Sequence, residues 1–230
     1  MDSGLIYKVG DGKQMNSFRN FVELPDQEEF DTLSHAVDIV NNISLPDGRT
    51  GQVGRAAAEQ IGEVDDVQIL EDGITNVAKK EKVTKYTDFL YLPGSFLAVQ
   101  SSSGSFATEV INRHSPVTPL ASTLDLESLL EENLRDDDFS LWKLGFYGNH
   151  GQAENGVVHG SNVLGDKDFK EIFNSTKTNQ LGFDYTYKNK EMRIFLAESG
   201  YVDVYQPSNF STREFFQFVD HEIVPHLRII

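Results

Sequence analysis

The segment YTDFLYLPGSFLAVQSSSG, residues 86–104, gives the clearest indication of the fold. Two apolar, β-prone runs flank Pro93-Gly94, a pair typical of a type II turn, in which the glycine takes the positive φ. The pattern predicts a β-hairpin. Because both faces of its strands are apolar, we expect this hairpin to be buried.

Three further strand patterns follow one another near the C-terminus, over residues 181–187, 191–197 and 201–205. The connections KNK and ESG are short enough for antiparallel hairpins, so the sequence predicts a three-stranded β-meander. We expect Tyr187 to lie opposite Glu191. That register would place on one face of the meander Leu181, Phe183, Tyr185, Tyr187, Arg193 and Phe195.

Helical patterns occupy segments 24–42, 55–61, 126–135 and 167–173, and a C-terminal segment that follows Ser211. In the first, Pro25 suits the opening turn and apolar residues recur at helical spacing. Asp125 is the expected N-cap of the third helix. In the last, Ser211 and Glu214 form a capping box, in which each side chain satisfies a free amide at the helix start.

These elements predict an α+β fold with mainly antiparallel sheet. It would consist of the C-terminal three-stranded β-meander and an N-terminal hairpin, with helices packed on one face or at the edges. Segment 115–123, SPVTPLAST, carries two prolines and no periodic pattern. We expect it to connect an N-terminal half, 1–114, to a C-terminal half, 124–230, although a single domain stays open.

Composition excludes several classes of protein. The chain of 230 residues has no cysteine, which excludes disulfides, zinc ribbons and thiol nucleophiles. Its net charge of −16 opposes direct binding to a phosphate backbone. Apolar runs are too short for a membrane span, which needs roughly 18 residues, and the N-terminus does not resemble a signal peptide. We therefore expect a cytoplasmic protein without membrane contact.

The C-terminal stretch VDHEIVPHL, residues 219–227, looks similar to the zinc motif His-Glu-x-x-His. In that motif the histidines are four residues apart and share a helix face. Here His221 and His226 are five apart, about 140° around a helix, and Pro225 interrupts the helix between them. We expect a helix end here, with His221 in its last turn.

A glycine-rich segment, 147–160, contains the candidate catalytic residues His150, Glu154 and His159. Glycines permit close approach of the backbone to a ligand, and such loops often carry function. A surface loop would have the same composition.

Two other groups of residues are candidate ligand sites. Asp184 and Asp203, with Glu198 nearby, lie on the predicted meander, where carboxylates of neighbouring strands can bind Mg²⁺ or Mn²⁺. Arg49 and Arg55 flank glycines before a predicted helix start, an arrangement that can bind an anion. Alternating polar positions on an exposed sheet explain the acids equally well, and an ordinary loop explains the arginines.

The leading hypothesis is a soluble acidic protein that binds a macromolecular partner and has no cofactor and no evident catalysis. The partner is expected to be a protein, and the negative charge of this chain favours a basic one. One alternative is a metal-dependent hydrolase or nuclease that uses the histidine loop and the meander carboxylates, with Mg²⁺ or Mn²⁺. Another is an inhibitor that imitates DNA and occupies a basic nucleic-acid-binding protein. The acidic excess is also explained by solubility or adaptation to high salt. The oligomeric state is left open.

Overall fold

A computed structural model describes residues 2–10, 12–23, 32–70, 73–100, 104–133, 138–150, 153–165, 171 and 173–230. The strands are β1 (Ser3–Val9), β2 (Phe18–Glu23), β3 (Thr32–Ser44), β4 (Thr50–Leu70), β5 (Gly73–Leu92), β6 (Phe96–Val99), β7 (Pro119–Leu120), β8 (Ser122–Leu124), β9 (Ser140–His150), β10 (Ala153–His159), β11 (Lys177–Tyr187), β12 (Lys190–Ala197), β13 (Tyr201–Gln206) and β14 (Leu227–Ile229). Short helices accompany them: α1 (Gly104–His114), α2 (Leu126–Asn133) and α3 (Thr212–Phe218). Residues 171 and 173–175 are also helical.

One twelve-stranded antiparallel sheet dominates the described chain, in the order β10-β9-β11-β12-β13-β1-β6-β5-β4-β3-β2, with β7 paired to β1. Strands β8 and β14 form a separate pair. The predicted α+β class, with a separate three-stranded meander and packed helices, is therefore wrong. The sheet takes strands from both predicted halves; their division at segment 115–123 stays a prediction.

Two predicted helices are strands, which is the main cause of this error. Within segment 24–42, residues 32–42 belong to β3, and residues 24–31 lie outside the described part. Segment 55–61 belongs to β4. Pairing with neighbouring strands overrides the local helical preference of both segments.

The sheet buries apolar side chains on both faces. On one face, a core contains Phe215, Phe216 and Phe218 of α3 and the buried leucines of α2. On the other face, a second core includes Ile111 of α1. Segments β5 and β6 supply alternate residues to each core, for example Leu90 to the first and Phe89 to the second.

The hairpin predicted over residues 86–104 is confirmed for its strands and turn. The amide of Ser95 donates to the carbonyl of Leu92 at 3.0 Å, and Gly94 has a φ of 74°. The eight strand residues from Phe89 to Leu92 and from Phe96 to Val99 are at most 1% exposed. Both faces are therefore buried, as their apolar sequence predicts.

The residues of the three predicted meander strands are strands, but their register differs from the prediction. Tyr187 lies opposite Lys190, and Phe183 lies opposite Ile194. The connection is a two-residue turn in which Lys188 and Asn189 have φ values of 48° and 63°, as a type I′ turn requires. The apolar face of β11 therefore shares its side with the apolar residues of β12, since a one-residue slip exchanges the faces.

Both predicted helix caps are confirmed. Asp125 accepts a hydrogen bond from the amide of Ser128 at 3.0 Å, and Ser211 with Glu214 forms the capping box of α3. Hydrogen bonds from Lys190 and from Ser211 lower the pKa of Glu214 to about 2. Predicted helix 167–173 falls outside the described residues, except for residues 171 and 173.

The C-terminal helix ends as a wider turn followed by a tighter one. After α3, residues Val219–Ile223 form a π-helical turn and Val224–His226 a 3₁₀ turn. His226 Nε2 lies 3.2 Å from Glu132, whereas His221 Nε2 lies 3.8 Å from Asp220. The two histidines have different partners, so the resemblance to a zinc motif has no structural counterpart.

Candidate functional site

Strands β4 and β5 continue beyond the sheet as a long ribbon. They pair without interruption from Gln52–Tyr91 to Leu70–Gly73. Pairing of β3 with β4 ends at Ala58, and pairing of β6 with β5 ends at Phe89. No other described strand pairs with the outer edges of residues 59–70 and 73–84. We call these two segments the arm, whose length is about 40 Å at about 3.3 Å per residue.

The two strands of the arm carry opposite charge. Residues 59–70 contain Glu59, Glu63, Asp65 and Asp66, and residues 73–84 contain Lys79, Lys80, Lys82 and a single acid, Glu81. Glu63 lies directly opposite Lys80. A cross-strand pair of this kind contributes roughly 0.2–1 kcal/mol, so Glu63 and Lys80 favour the observed register.

The far end of the arm exposes apolar side chains. Val67, Ile69 and Ile74 are 59%, 83% and 74% exposed. Ile69 lies opposite Ile74, so these two share a face with Val67, two residues away. We call this group the tip patch. Exposed apolar groups of this kind are typical of interaction surfaces.

The arm was not predicted from the sequence, in which residues 55–61 were assigned to a helix although β4 contains them. The signal for a hairpin was the Asp-Gly pair at 72–73 between an acidic and a lysine-rich strand of matched length.

The predicted catalytic residues lie on the β9–β10 hairpin. The backbone of His150 pairs with Ala153, and that of His159 pairs with Lys143. The backbones of the two histidines are therefore about 20 Å apart along the strand. Glu154 and His159 have exposed side chains, and the side chain of His150 lies outside the described part. The structure keeps the backbones of the two histidines apart, and the catalytic role of the three residues stays a prediction.

Arg49 and Arg55 each bind an acidic side chain of the chain itself. The guanidinium of Arg49 forms hydrogen bonds with Asp220 and with Asp47, and these bonds raise its pKa. Arg55 Nε lies 2.9 Å from Asp88. The two arginines have separate partners, so the structure does not join them, and an external anion would have to compete with these carboxylates.

The predicted metal-binding residues lie on β11 and β13, with β12 between them. Asp184 lies 3.8 Å from Arg193, and Asp203 accepts a hydrogen bond from Tyr201 at 3.3 Å. Two strand spacings, about 9.6 Å, separate the two strands. Burial raises the pKa of Asp203. In the part of the chain that the structure describes, no three acidic or histidine side chains meet as a metal site would require. A metal role for Asp184 and Asp203 stays a prediction.

Aromatic side chains occupy the same outward face of the sheet, a feature that the sequence analysis did not assign to a site. Three atoms of the Trp142 indole lie 2.6–2.7 Å from the position that a Cβ on Gly182 would take. The ring therefore lies across β11 where the glycine leaves room. Tyr205 is next to it, with ring centroids 6.1 Å apart. The sequence signal was the alternation of Tyr201, Asp203 and Tyr205 with buried valines.

Comparisons with known proteins supply no family: no family model and no curated protein matches the chain. None of the described helices combines the length and apolar character of a membrane span. The cytoplasmic location stays a prediction.

Proposed function

We propose that the protein acts by binding a protein partner through the arm. One observation carries this proposal: a ribbon about 40 Å long leaves the sheet, has outer edges that pair with no other described strand, and exposes isoleucines at its end. A two-stranded ribbon is only marginally stable in water by itself. Free edges also invite pairing with another chain. A partner that covers the arm removes both disadvantages.

The total surface supports a binding role. The chain exposes 12908 Å², whereas a compact monomer of its mass, 25.8 kDa, exposes roughly 10,500 Å². The arm contributes to this surface, because most of its described side chains are exposed.

Charge indicates what kind of partner fits. The free edge of the β4 strand is acidic, and the strand that already pairs with its other edge is rich in lysine. A basic extended segment of a partner would repeat this arrangement on the free edge, as in β-strand addition. Lysines on the outer β5 strand discourage pairing there. The tip patch would add apolar contact, which charge alone does not supply.

The proposal is tested by changing the tip patch. In the variant Ile69→Asp/Ile74→Asp, both sites are exposed, so we expect folding to be unchanged and partner binding to be lost. Val40→Asp is the matched control, because Val40 is 66% exposed on β3, away from the arm. Tagged proteins are incubated with an extract of the cells that naturally make the chain, and retained proteins are quantified by mass spectrometry.

A set of proteins retained by the native chain and by the control, but lost with the arm variant, supports the proposal. Equal retention by all three chains contradicts it. A second variant joins Gln60 to Val83, which are paired neighbours, through an Asn-Gly turn. This shortened chain keeps the body of the sheet and should lose the same set of proteins.

A further inference from the structure

The outward face of strands β9, β11, β12 and β13 has the components of a ligand site that is independent of the arm. Trp142 lies over Gly182, and Tyr205 beside it is 50% exposed. A second ring pair, Phe195 and Tyr201, has centroids 6.2 Å apart. We call these four rings the aromatic face. Its rings stay on the outside of the sheet, although the interior of the protein is rich in buried phenylalanines.

Cations near the aromatic face are already engaged. The guanidinium carbon of Arg193 lies 4.6 Å from the centroid of the Trp142 ring, and Arg193 also pairs with Asp184. The ammonium of Lys143 lies 4.2 Å from the centroid of Phe195. Each of the two cations therefore already lies against an aromatic ring.

A groove of about 390 Å³ is lined in part by Arg193, whose guanidinium contacts the Trp142 ring, and its volume is within the range of small-molecule sites, roughly 300–1,000 Å³. Its lining includes three carboxylates, a guanidinium and an amide: Asp138, Asp184, Glu191, Arg193 and Gln206. A second, more open hollow of about 740 Å³ shares Glu191 and Gln206 with it and includes Tyr205. Hydrogen-bonding groups therefore continue from one hollow to the next beside the exposed tyrosine.

We propose that the aromatic face and this groove bind a neutral oligosaccharide. A sugar ring has an apolar C–H face that stacks on an aromatic ring and a rim of hydroxyl groups. Ionised carboxylates accept several hydrogen bonds each, which suits hydroxyl donors. Two connected hollows fit a chain of sugar units better than a single one.

Charge excludes the main competing ligands. Single-stranded nucleic acid also stacks on aromatic rings, but it requires a positively charged groove. Here Asp138, Asp184 and Glu191 line the groove, and the whole chain carries a net charge of −16. A cationic ligand would find the Trp142 and Phe195 rings already in contact with Arg193 and Lys143. A neutral sugar has no charge for these groups to repel, and the ring of Tyr205, which is 50% exposed, offers it a stacking surface.

The test uses the fluorescence of Trp142, which is the sole tryptophan of the chain. The full chain is titrated to millimolar concentrations with maltohexaose, cellohexaose and the hexamer of N-acetylglucosamine. We expect a saturable change of emission with at least one of them. Tyr205→Ala should weaken that binding about tenfold, the equivalent of about 1.4 kcal/mol. Tyr86→Ala is the matched control, since Tyr86 is an exposed tyrosine elsewhere.

Gly182→Ala provides a second variant that keeps the fluorophore. A Cβ at this position overlaps the indole, so the ring must move and binding should fall; circular dichroism reports whether the variant is folded. No response to any of the three sugars overturns the proposal, as does equal binding by the native chain and Tyr205→Ala. A response to an oligothymidylate in place of the sugars also overturns it. The arm-shortened chain should bind the sugar normally, which separates this proposal from the arm's function.

Discussion

Replacement of Asp220 by alanine should destabilise the protein strongly, because this carboxylate joins three turns. Its oxygens accept hydrogen bonds from Arg49, in the β3–β4 turn, and from Ser95 Oγ at 2.5 Å, in the β5–β6 turn. Asp220 itself lies in the turn after α3 and has a side chain that is 11% exposed. Its removal leaves Ser95, which is 6% exposed, without this acceptor.

The expected loss of stability in Asp220→Ala follows from these hydrogen bonds. Each hydrogen bond to a charged group contributes about 1.5–3 kcal/mol when its loss leaves a buried partner unsatisfied. The Arg49 side chain is 41% exposed and keeps Asp47 as a partner, so solvent screens its share. We therefore expect Asp220→Ala to lower the free energy of unfolding by about 2–3 kcal/mol.

Urea denaturation at neutral pH measures this loss, and Asp47→Ala is the control. Asp47 binds the same guanidinium from the exposed side, so its removal should cost much less. A double-mutant cycle with Arg49→Met should give a coupling free energy of about 1 kcal/mol between Arg49 and Asp220. Equal losses for Asp220→Ala and Asp47→Ala, or a coupling near zero, would refute the reasoning.

Acidification should remove the stabilisation that the Asp220 carboxylate contributes. Burial raises the pKa of Asp220, but hydrogen bonds from Arg49 and Ser95 together outweigh burial, so the pKa lies below its usual value. A lowered pKa in the folded state means that the stabilisation is complete above about pH 3.9, the unfolded value. It is lost as the pH falls through the lower folded pKa. The difference between the native chain and Asp220→Ala should therefore shrink on acidification.

Other predictions concern single contacts. Burial lowers the pKa values of His35 and His114, whose ring nitrogens are 3.1 Å apart. The stabilisation that this histidine pair contributes should be complete above about pH 6.5 and decrease below that pH. The variant His114→Gln should flatten this dependence of the melting temperature on pH. An unchanged pH dependence in the variant would contradict the prediction. Gly54→Ala should cost about 1–3 kcal/mol in urea denaturation, because its Cβ would lie 2.4 Å from the Phe89 ring; an unchanged transition would show that the ring yields freely. Ser211→Ala should cost about 1 kcal/mol by the same measurement through loss of the capping box, and no loss would mean that the box is dispensable.

Features that depend on neighbouring residues could be predicted from the sequence. The Pro93-Gly94 turn and the caps at Asp125 and Ser211 follow local stereochemistry, and the structure has all three. The turn between β11 and β12 was harder, because Lys188 and Asn189 are not the usual glycine-containing pair for positive φ.

Strand β3 shows why the rest could not be predicted. Its apolar residues fit two periods at once: Leu33, Val37 and Val40 have helical spacing, whereas His35, Val37 and Ile39 alternate as in a strand. The segment forms a strand and not a helix because β2 pairs with one edge of β3 and β4 pairs with the other. Such non-local pairing overrides the local helical preference, and the sequence of a short segment does not indicate it.

The candidate sites depend even more on distant residues. Arg49 binds Asp220, which lies 171 positions away, so the sequence could name Arg49 as an anion ligand without indicating which anion. Ala56 illustrates the same limit for packing. It is completely buried in the core beside α1, although alanine in isolation favours a helix.

The unbroken ladder of β4 and β5 has a mechanical consequence. No change of register separates the arm from the strands that are clamped between the two cores. If the arm binds a partner as proposed, its register decides which face of the ribbon presents Ile69 and Ile74. A slip of one residue pair would move these side chains to the opposite face.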